Sequence, residues 1–120
     1  MLFDTTQMAL ERTIAGASQR QDALAANIAN ASTPGYKRVD VDFHSALAAA
    51  LGSDDAKDAV ASTSFTTATD PTVGNTQADG NSIDIDNESA KLSANAIEQE
   101  TAVSVAKTRI AILRAAMGVG

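Results

Sequence analysis

The sequence lacks residues on which several common classes of protein depend. It contains no cysteine, no tryptophan and one histidine, and only 3% of its 120 residues are aromatic. The absence of cysteine excludes disulfides and thiolate metal sites. Much of the 44% hydrophobic share is alanine, which buries little area, so an independent compact core would be marginal. The length allows one domain at most.

Basic charge and long apolar runs are also scarce. The formal net charge is −6, and a nucleic-acid-binding surface would need a basic stripe, so no nucleic-acid partner is expected. No run approaches the ~20 apolar residues of a membrane-spanning helix, so we expect no direct membrane insertion. Residues 1–6 show neither the basic nor the apolar region of a cleaved signal peptide, and none is expected.

The sequence offers little chemistry for catalysis. His44 has no cysteine to pair with, and an isolated histidine is usually an ordinary surface or turn residue. A calcium loop starting at Asp79 would need glycine and glutamate where the chain has Asp84 and Ala90. Glycine-rich phosphate loops and serine elbows are absent from the sequence. We therefore predict no enzyme activity, with no catalytic, metal-binding or cofactor-binding residues.

Two long segments have the heptad periodicity of amphipathic helices. The first is predicted from about Phe3 to Asn30 and the second from about Asn87 to Met117, pairing as an antiparallel coiled-coil-like unit. In the second helix Val105 and Ile112 face away from the seam, so that helix needs another neighbour, which a bundle or polymer would supply. The predicted assembly positions are Phe3, Leu10, Ile14, Leu24, Ile28, Leu92, Val103, Ile110, Ile112, Leu113 and Met117.

The region between these helices is predicted to contain a short extended segment and a flexible loop. Val39, Val41 and Phe43 alternate with aspartates, which favours an extended segment, and residues 45–51 are alanine-rich enough for a helical turn or two. Residues rich in Ser, Thr, Asp and Gly then favour a polar loop. The predicted fold is all-α, divided into a helix over 1–31, a turn with its short segment over 32–51, the loop over 52–81 and a helix over 82–120.

A turn at 33–36 is the most specific local signal. Thr33 precedes Pro34 and is pushed out of the α region, Pro34 presets φ for the next position, and Gly35 can take the positive φ of a type II turn. Asn27 and Asn30, three residues apart, share one helix face and can hydrogen-bond to the turn or to a neighbouring chain.

The run ANIANASTPGYK at 26–37 resembles the N-terminal signature of the flagellar axial proteins, the rod and hook subunits of the bacterial flagellum. The resemblance is carried by Asn27, Asn30, Thr33, Pro34, Gly35 and Tyr36. It continues through Asp40–Phe43, the Asp-Gly-Asn segment at 79–88, Asn95 and Leu113–Ala116. It covers roughly the first fifty and the last forty residues.

The resemblance implies a structural subunit of the proximal rod of the flagellar basal body, in the periplasm, that polymerises through its terminal helices after type III export. It implies homo- and hetero-oligomeric assembly with proximal and distal rod proteins, the adaptor joining the rod to the MS ring, and the export gate. Phe43 and Leu47 resemble the element by which such subunits dock on the gate, although one helical turn packing on the core explains them equally well. Another rod subunit, of the FlgC type, or a cytoplasmic helical-hairpin adaptor is the alternative.

Overall fold

The computed structural model of the protein describes residues 4–70 and 77–118. Two long helices at the ends of the chain lie antiparallel, since contacts along α1 from Asp4 to Asn27 meet α4 from Arg109 back to Glu88. The predicted all-α fold with paired terminal helices is confirmed. In chain order the elements are α1 Thr5–Ala29, β1 Val39–Asp40, α2 Phe43–Leu51, α3 Ala56–Ser62, β2 Ala68–Thr69 and α4 Ile85–Ala116.

Aspartates cap the first turns of both long helices. The Asp4 carboxylate accepts a hydrogen bond of 2.9 Å from the backbone N–H of Gln7 and begins α1. The Asp84 carboxylate accepts from the N–H groups of Asp86 and Asn87, at 3.1 and 3.2 Å. Helix α4 therefore begins two residues before its predicted start, because Asp84 supplies the cap.

The buried stripe of α4 is rotated by about 45° around the helix from the predicted seam, at 100° per residue. Leu92, Val103, Ile110 and Leu113 are half-buried, and Met117 is exposed. The most buried residues instead include two polar ones, Glu88 and Asn95, together with Ala102 and Ala106. Hydrophobic periodicity does not predict the burial of Glu88 and Asn95, because it treats polar residues as facing solvent.

On α1 the burial of the predicted assembly positions ranges from complete to partial. Leu24 is fully buried, whereas Leu10, Ile14 and Ile28 are half-buried; Phe3 lies outside the described residues. Gly16 is also buried, and a Cβ built on it would lie 2.6 Å from the Cβ of Phe43. Glycine at this position therefore lets α2 approach α1 closely.

Regular structure also occurs within 52–81, where the sequence predicted only a polar loop. The short α3 is anchored by Val60, which is fully buried against Leu47 and Ala50 of α2. Strand β2 pairs antiparallel with β1, with Val39 opposite Thr69. One apolar residue in a polar stretch carries too little periodicity to predict α3, and a two-residue strand carries none.

The molecule is a flat slab with dimensions of 62 × 32 × 15 Å. Its thickness is close to the ~10–12 Å diameter of one helix with its side chains. Among the described elements, α1 packs against α4, α2, α3 and β1, whereas α4 packs against α1 and otherwise meets α2 through the contact of His44 with Glu98. Most of the surface of α4 is therefore open to solvent in the isolated chain.

Candidate functional site

The predicted turn follows directly after α1. The N–H of Tyr36 donates to the carbonyl of Thr33 at 3.2 Å, which closes a four-residue turn with Pro34 in its second position. Gly35 has φ of 74°, so the positive φ predicted for this residue is confirmed. Asn30 ends the helix and accepts a hydrogen bond of 3.1 Å from the Thr33 hydroxyl.

Residues 79–82 lie beside this turn and hold it in place. The Gly35 N–H donates to the carbonyl of Asp79 at 2.9 Å, and the Ser82 N–H donates to the carbonyl of Tyr36 at 3.0 Å. We call the turn 33–36 together with the segment 79–82 the clasp. The clasp joins two motifs that are far apart in the sequence, the Pro-Gly turn and the Asp-Gly-Asn segment.

Asn81 is the central side chain of the clasp and is fully buried. Its amide nitrogen donates to the carbonyls of Asn30 and Thr33, at 2.9 and 2.7 Å. Its amide oxygen accepts from the N–H of Ile83 at 2.7 Å. An amide suits this position because it supplies donors and an acceptor without a charge, whereas a carboxylate would face two carbonyl oxygens. Asn81 therefore satisfies carbonyl groups at the end of α1 that the helix itself leaves unpaired.

Asn27 anchors the chain where it returns along α1. The side chain is fully buried, and its amide exchanges two hydrogen bonds with the backbone of Val39, at 2.7 and 3.0 Å. The same amide nitrogen donates to Oε2 of Glu88 on α4 at 3.0 Å. One side chain therefore links α1, β1 and α4, which accounts for an asparagine on this helix face.

A buried charge network lies next to Asn27. The Arg38 side chain is 3% exposed and pairs with Glu88, which is 2% exposed. Arg38 also pairs with Asp70 and, at 2.7 Å, with Asp40. Arg20 of α1 reaches the same Asp40 at 2.9 Å. The network ties both long helices to the segment between them, and neither arginine was singled out from the sequence.

The ion pairs dominate the electrostatics of Asp40. Burial alone would raise the pKa of this carboxyl, but hydrogen bonds from Arg20 and Arg38 outweigh burial and lower the pKa to about 2. Burial would lower the pKa of Arg38, yet its bonds to Asp40 and Glu88 raise it. Asp40 and Arg38 are therefore charged at neutral pH.

A second ion pair fixes the opposite end of the helix pair. Arg109 of α4 donates to the Asp4 carboxylate at 2.8 Å, and this bond, with the N–H of Gln7, holds the pKa of Asp4 well below its usual range. Between the two ends, the amide of Asn95 donates to the carbonyl of Ala17 at 2.8 Å and to the side-chain oxygen of Gln21 at 2.7 Å. Polar contacts thus set the register of α1 against α4 at three levels.

The two residues predicted to meet the export gate are core residues in the folded chain. Phe43 is fully buried with Ala17, Ala23 and Val41, and Leu47 is 8% exposed in the neighbouring cluster. His44, between them, lies on the surface and contacts Glu98 at 2.6 Å.

Of the predicted assembly positions, Ile112 is among the most exposed. Its side chain is 63% exposed, on the side of α4 away from α1, and Met117 at the end of the helix is 59% exposed. Ile97 and Val105, at 66% and 47%, are also exposed on α4.

The described part of the chain contains no cluster of three or more histidine or acidic side chains arranged to hold a metal ion. No helix in residues 4–70 or 77–118 is both long and apolar enough to cross a membrane.

Backbone strain at Gly35 can be tested separately from packing, because a Cβ at this glycine would meet no atom within 4 Å. We expect Gly35→Val to lower the free energy of unfolding by about 1–2 kcal/mol, since a β-branched residue is disfavoured at positive φ. Gly35→Asn should cost only a few tenths of this, because asparagine tolerates that region. Urea unfolding followed by helical circular dichroism measures both, and equal losses would contradict a backbone origin.

The class of protein follows from the first helix and its turn. Residues 9–37 match the family model described as "Flagella basal body rod protein". This matched region contains all but the first four residues of α1, together with the turn half of the clasp.

Longer comparisons identify the family. The chain is 35% identical over 108 residues to the flagellar basal body rod protein FlgB of Escherichia coli strain K12, covering 78% of each chain. It is 31% identical over 115 residues to FlgB of Aeromonas hydrophila, covering 84% of each. Over 30 residues it is 67% identical to FlgB of Salmonella typhimurium, covering 25% of this chain and 22% of that protein. The chain belongs to the FlgB family of flagellar basal body rod proteins, a family of structural proteins.

Proposed function

We propose that this chain is a subunit of the proximal rod and polymerises through its terminal helices into the wall of the flagellar drive shaft. The observation that carries the proposal is the exposed apolar side of α4 in a subunit little thicker than one helix. Ile97, Val105 and Ile112 are large apolar residues with no neighbouring helix among the described elements. Contiguous exposed apolar surface of this kind marks an interaction site, and neighbouring subunits would cover it.

The clasp and the charge network have a defined role in this proposal. They fix where the chain leaves α1 and how α4 is rotated against α1, so the apolar side of α4 points outward at a set angle. Polar, hydrogen-bonded contacts suit this role because they favour one register over its neighbours more strongly than a smooth alanine seam does. Proposed partners are other proximal and distal rod proteins, the adaptor to the MS ring, and the export gate.

We further propose that the chain reaches the periplasm through the flagellar type III apparatus without a cleaved signal. Phe43 and Leu47 would be recognised by the gate before the chain folds, since both side chains are buried afterwards. Recognition and packing would then use the same two residues at different stages, so the two interpretations of this pair do not compete.

The Phe43→Ala, Leu47→Ala double variant should be secreted several-fold less than the wild type. The matched control is Leu24→Ala with Val60→Ala, which removes two equally buried apolar side chains outside the pair. If the gate reads the unfolded chain, the control loses stability and keeps its secretion. Quantitative immunoblotting of the secreted fraction, with a gate-deficient strain as zero, measures both. Equal secretion of both double variants would mean that the pair serves packing only.

Deletion of the gene tests the proposed function directly. We expect loss of basal-body rods in electron micrographs and loss of swimming, both restored by the wild-type gene. The intact chain should also be found outside the cytoplasm only when the export gate is functional. Intact rods and normal swimming in the deletion strain would favour the alternative, a cytoplasmic helical-hairpin adaptor.

A further inference from the structure

The outer side of α4 has a pattern in which three pairs of like residues lie symmetrically about a midpoint. Its midpoint lies between Ser104 and Val105. Ala94, Ile97 and Thr101 before the midpoint have the same spacing as Ala115, Ile112 and Thr108 after it, with the same residue type at each distance. We call this set of residues, 94, 97, 101, 104, 105, 108, 112 and 115, the outer stripe.

All members of the outer stripe are exposed and lie on one side of the helix. At 100° per residue they fall within about 100° of the circumference, on the side away from the buried Asn95, Ala102 and Ala106. The Thr101 hydroxyl donates to the carbonyl of Ile97 at 2.8 Å, so this polar group is already satisfied within the helix. The outer stripe is therefore a largely apolar surface of isoleucine, valine and alanine side chains, with Ser104 beside its midpoint and two threonines whose hydroxyls can bond to their own helix.

From this symmetry we infer that the outer stripe binds the outer stripe of a second copy of this chain, with the two α4 helices antiparallel about a twofold axis at the midpoint. In a twofold interface the residue at one position meets its mirror position in the partner chain, and the reverse. The symmetric spacing adds that like residues then lie at the same level, as Ile97 of one copy does with Ile112 of the other. A parallel, in-register pair would not use this symmetric spacing.

Charges beside the outer stripe support the antiparallel arrangement. Glu100 and Lys107 are exposed on the same flank of α4, seven residues apart and on opposite sides of the midpoint. No ion pair within the described residues involves either of them. In the antiparallel pair each Glu100 would lie near Lys107 of the other copy, twice by symmetry. In a parallel, in-register pair the same flank of the two copies would lie on opposite sides of the interface, so Glu100 of one copy and Lys107 of the other would not meet.

This inference does not rest on the proposed rod function. A twofold contact closes on itself and yields a dimer, whereas a rod requires head-to-tail contacts that continue. Pairing would keep the apolar side of α4 out of water in the free subunit, in competition with contacts to rod neighbours on the same side. Because the outer stripe is narrow, we expect reversible, concentration-dependent pairing.

Single cysteines can report the geometry, because the native chain has none. Thr101→Cys and Thr108→Cys are placed on separately tagged full-length chains, and each chain alone and their mixture are oxidised. In the antiparallel pair position 101 faces position 108, whereas like positions lie seven residues, ~10 Å, apart along the axis. This exceeds the ~7 Å Cα separation that a disulfide tolerates. We expect the mixed disulfide to form at least tenfold faster than either homodisulfide, and faster homodisulfides would overturn the arrangement.

Charge reversal provides a test that general destabilisation would not imitate. Glu100→Lys and Lys107→Glu should each weaken dimerisation at least threefold in sedimentation equilibrium, and the double reversal should restore it. Ile97→Asp should abolish both the dimer and the mixed disulfide while leaving the helical circular dichroism unchanged, since Ile97 is 66% exposed. A wild-type chain that stays monomeric at all accessible concentrations would overturn the inference, as would a dimer unaffected by Ile97→Asp. Neither result bears on motility, so failure here is distinguishable from failure of the rod proposal.

Discussion

Arg38→Met is expected to lower the free energy of unfolding of the subunit by about 3–5 kcal/mol at pH 7, the range for removal of one partner from a buried ion pair. The loss of stability arises at Glu88, which is 1% exposed. When the guanidinium is removed, the Glu88 carboxylate keeps one side-chain donor among the described residues, the amide of Asn27. Urea unfolding followed by helical circular dichroism gives the difference directly.

The pH dependence of the Arg38→Met variant should be opposite to that expected from the wild-type network. A carboxyl that is buried without a counter-charge has a pKa above its usual range of about 4.3, so protonation relieves the folded state as the pH falls. The variant should therefore gain stability between pH 7 and pH 5. In the wild type, Asp40 has a pKa lowered from 3.8 to about 2, so its contribution is fully present above pH 4 and is lost only as the pH falls from there toward 2.

The double variant Arg38→Met, Glu88→Leu distinguishes the cost of an unpaired buried charge from the cost of the lost contacts of Arg38. Removing both partners eliminates the unpaired carboxylate, so most of the lost stability should return, along with a flat profile between pH 7 and pH 5. If the double variant is no more stable than Arg38→Met alone, the cost lies in the contacts of Arg38 with Asp40 and Asp70 and not in the isolation of Glu88.

The two long helices were predictable because their signal is local and repeated. Alanine and larger apolar residues recur at heptad spacing over about four turns or more in each, and Pro34 with Gly35 ends the first unambiguously. The positive φ of Gly35 follows from the same three-residue context. Each of these features depends on residues close together in the chain, so no knowledge of the rest of the fold was needed.

The clasp and the charge network were not predictable in the same way. Asn81 bonds to the carbonyl of Asn30, 51 positions earlier, and Arg38 pairs with Glu88, 50 positions later. Charged residues are rarely buried without a partner, so a sequence pattern assigns Glu88 to the surface unless the partner is known. The same reasoning placed Asn95 outside the seam, although its two hydrogen bonds to α1 make its burial possible.

One clue to the clasp lies in the sequence itself, in two motifs that are each typical of a turn. The Asp-Gly-Asn segment has the composition of a turn just before the last helix, and the Thr-Pro-Gly-Tyr run predicts a turn just after the first. An antiparallel helix pair brings the end of α1 and the start of α4 to the same end of the molecule, so the two turns had to be neighbours. Combining the predicted topology with the two motifs would have suggested the clasp, though not the particular role of Asn81.

Ile112→Asp is expected to abolish motility and leave the isolated subunit folded. At 63% exposure an aspartate stays in water, so the free energy of unfolding should change by no more than about 0.5 kcal/mol. If a rod neighbour covers this side of α4, the same carboxylate is buried without a partner, at a cost of several kcal/mol per subunit. We expect a chain that is expressed and secreted at wild-type levels and forms no rod in electron micrographs.

Two controls define what this result means. Leu24→Asp places the charge at a fully buried position and should unfold the subunit itself, while Ile112→Val keeps the apolar surface and should keep the rod. Ile112→Asp would also disrupt the antiparallel pairing of α4, but loss of a competing dimer favours rod assembly. A non-motile, rodless strain that secretes a folded chain therefore reflects a lost rod contact. Normal swimming with Ile112→Asp would mean that this side of α4 faces water in the rod, and the proposal that neighbouring subunits cover it would fail.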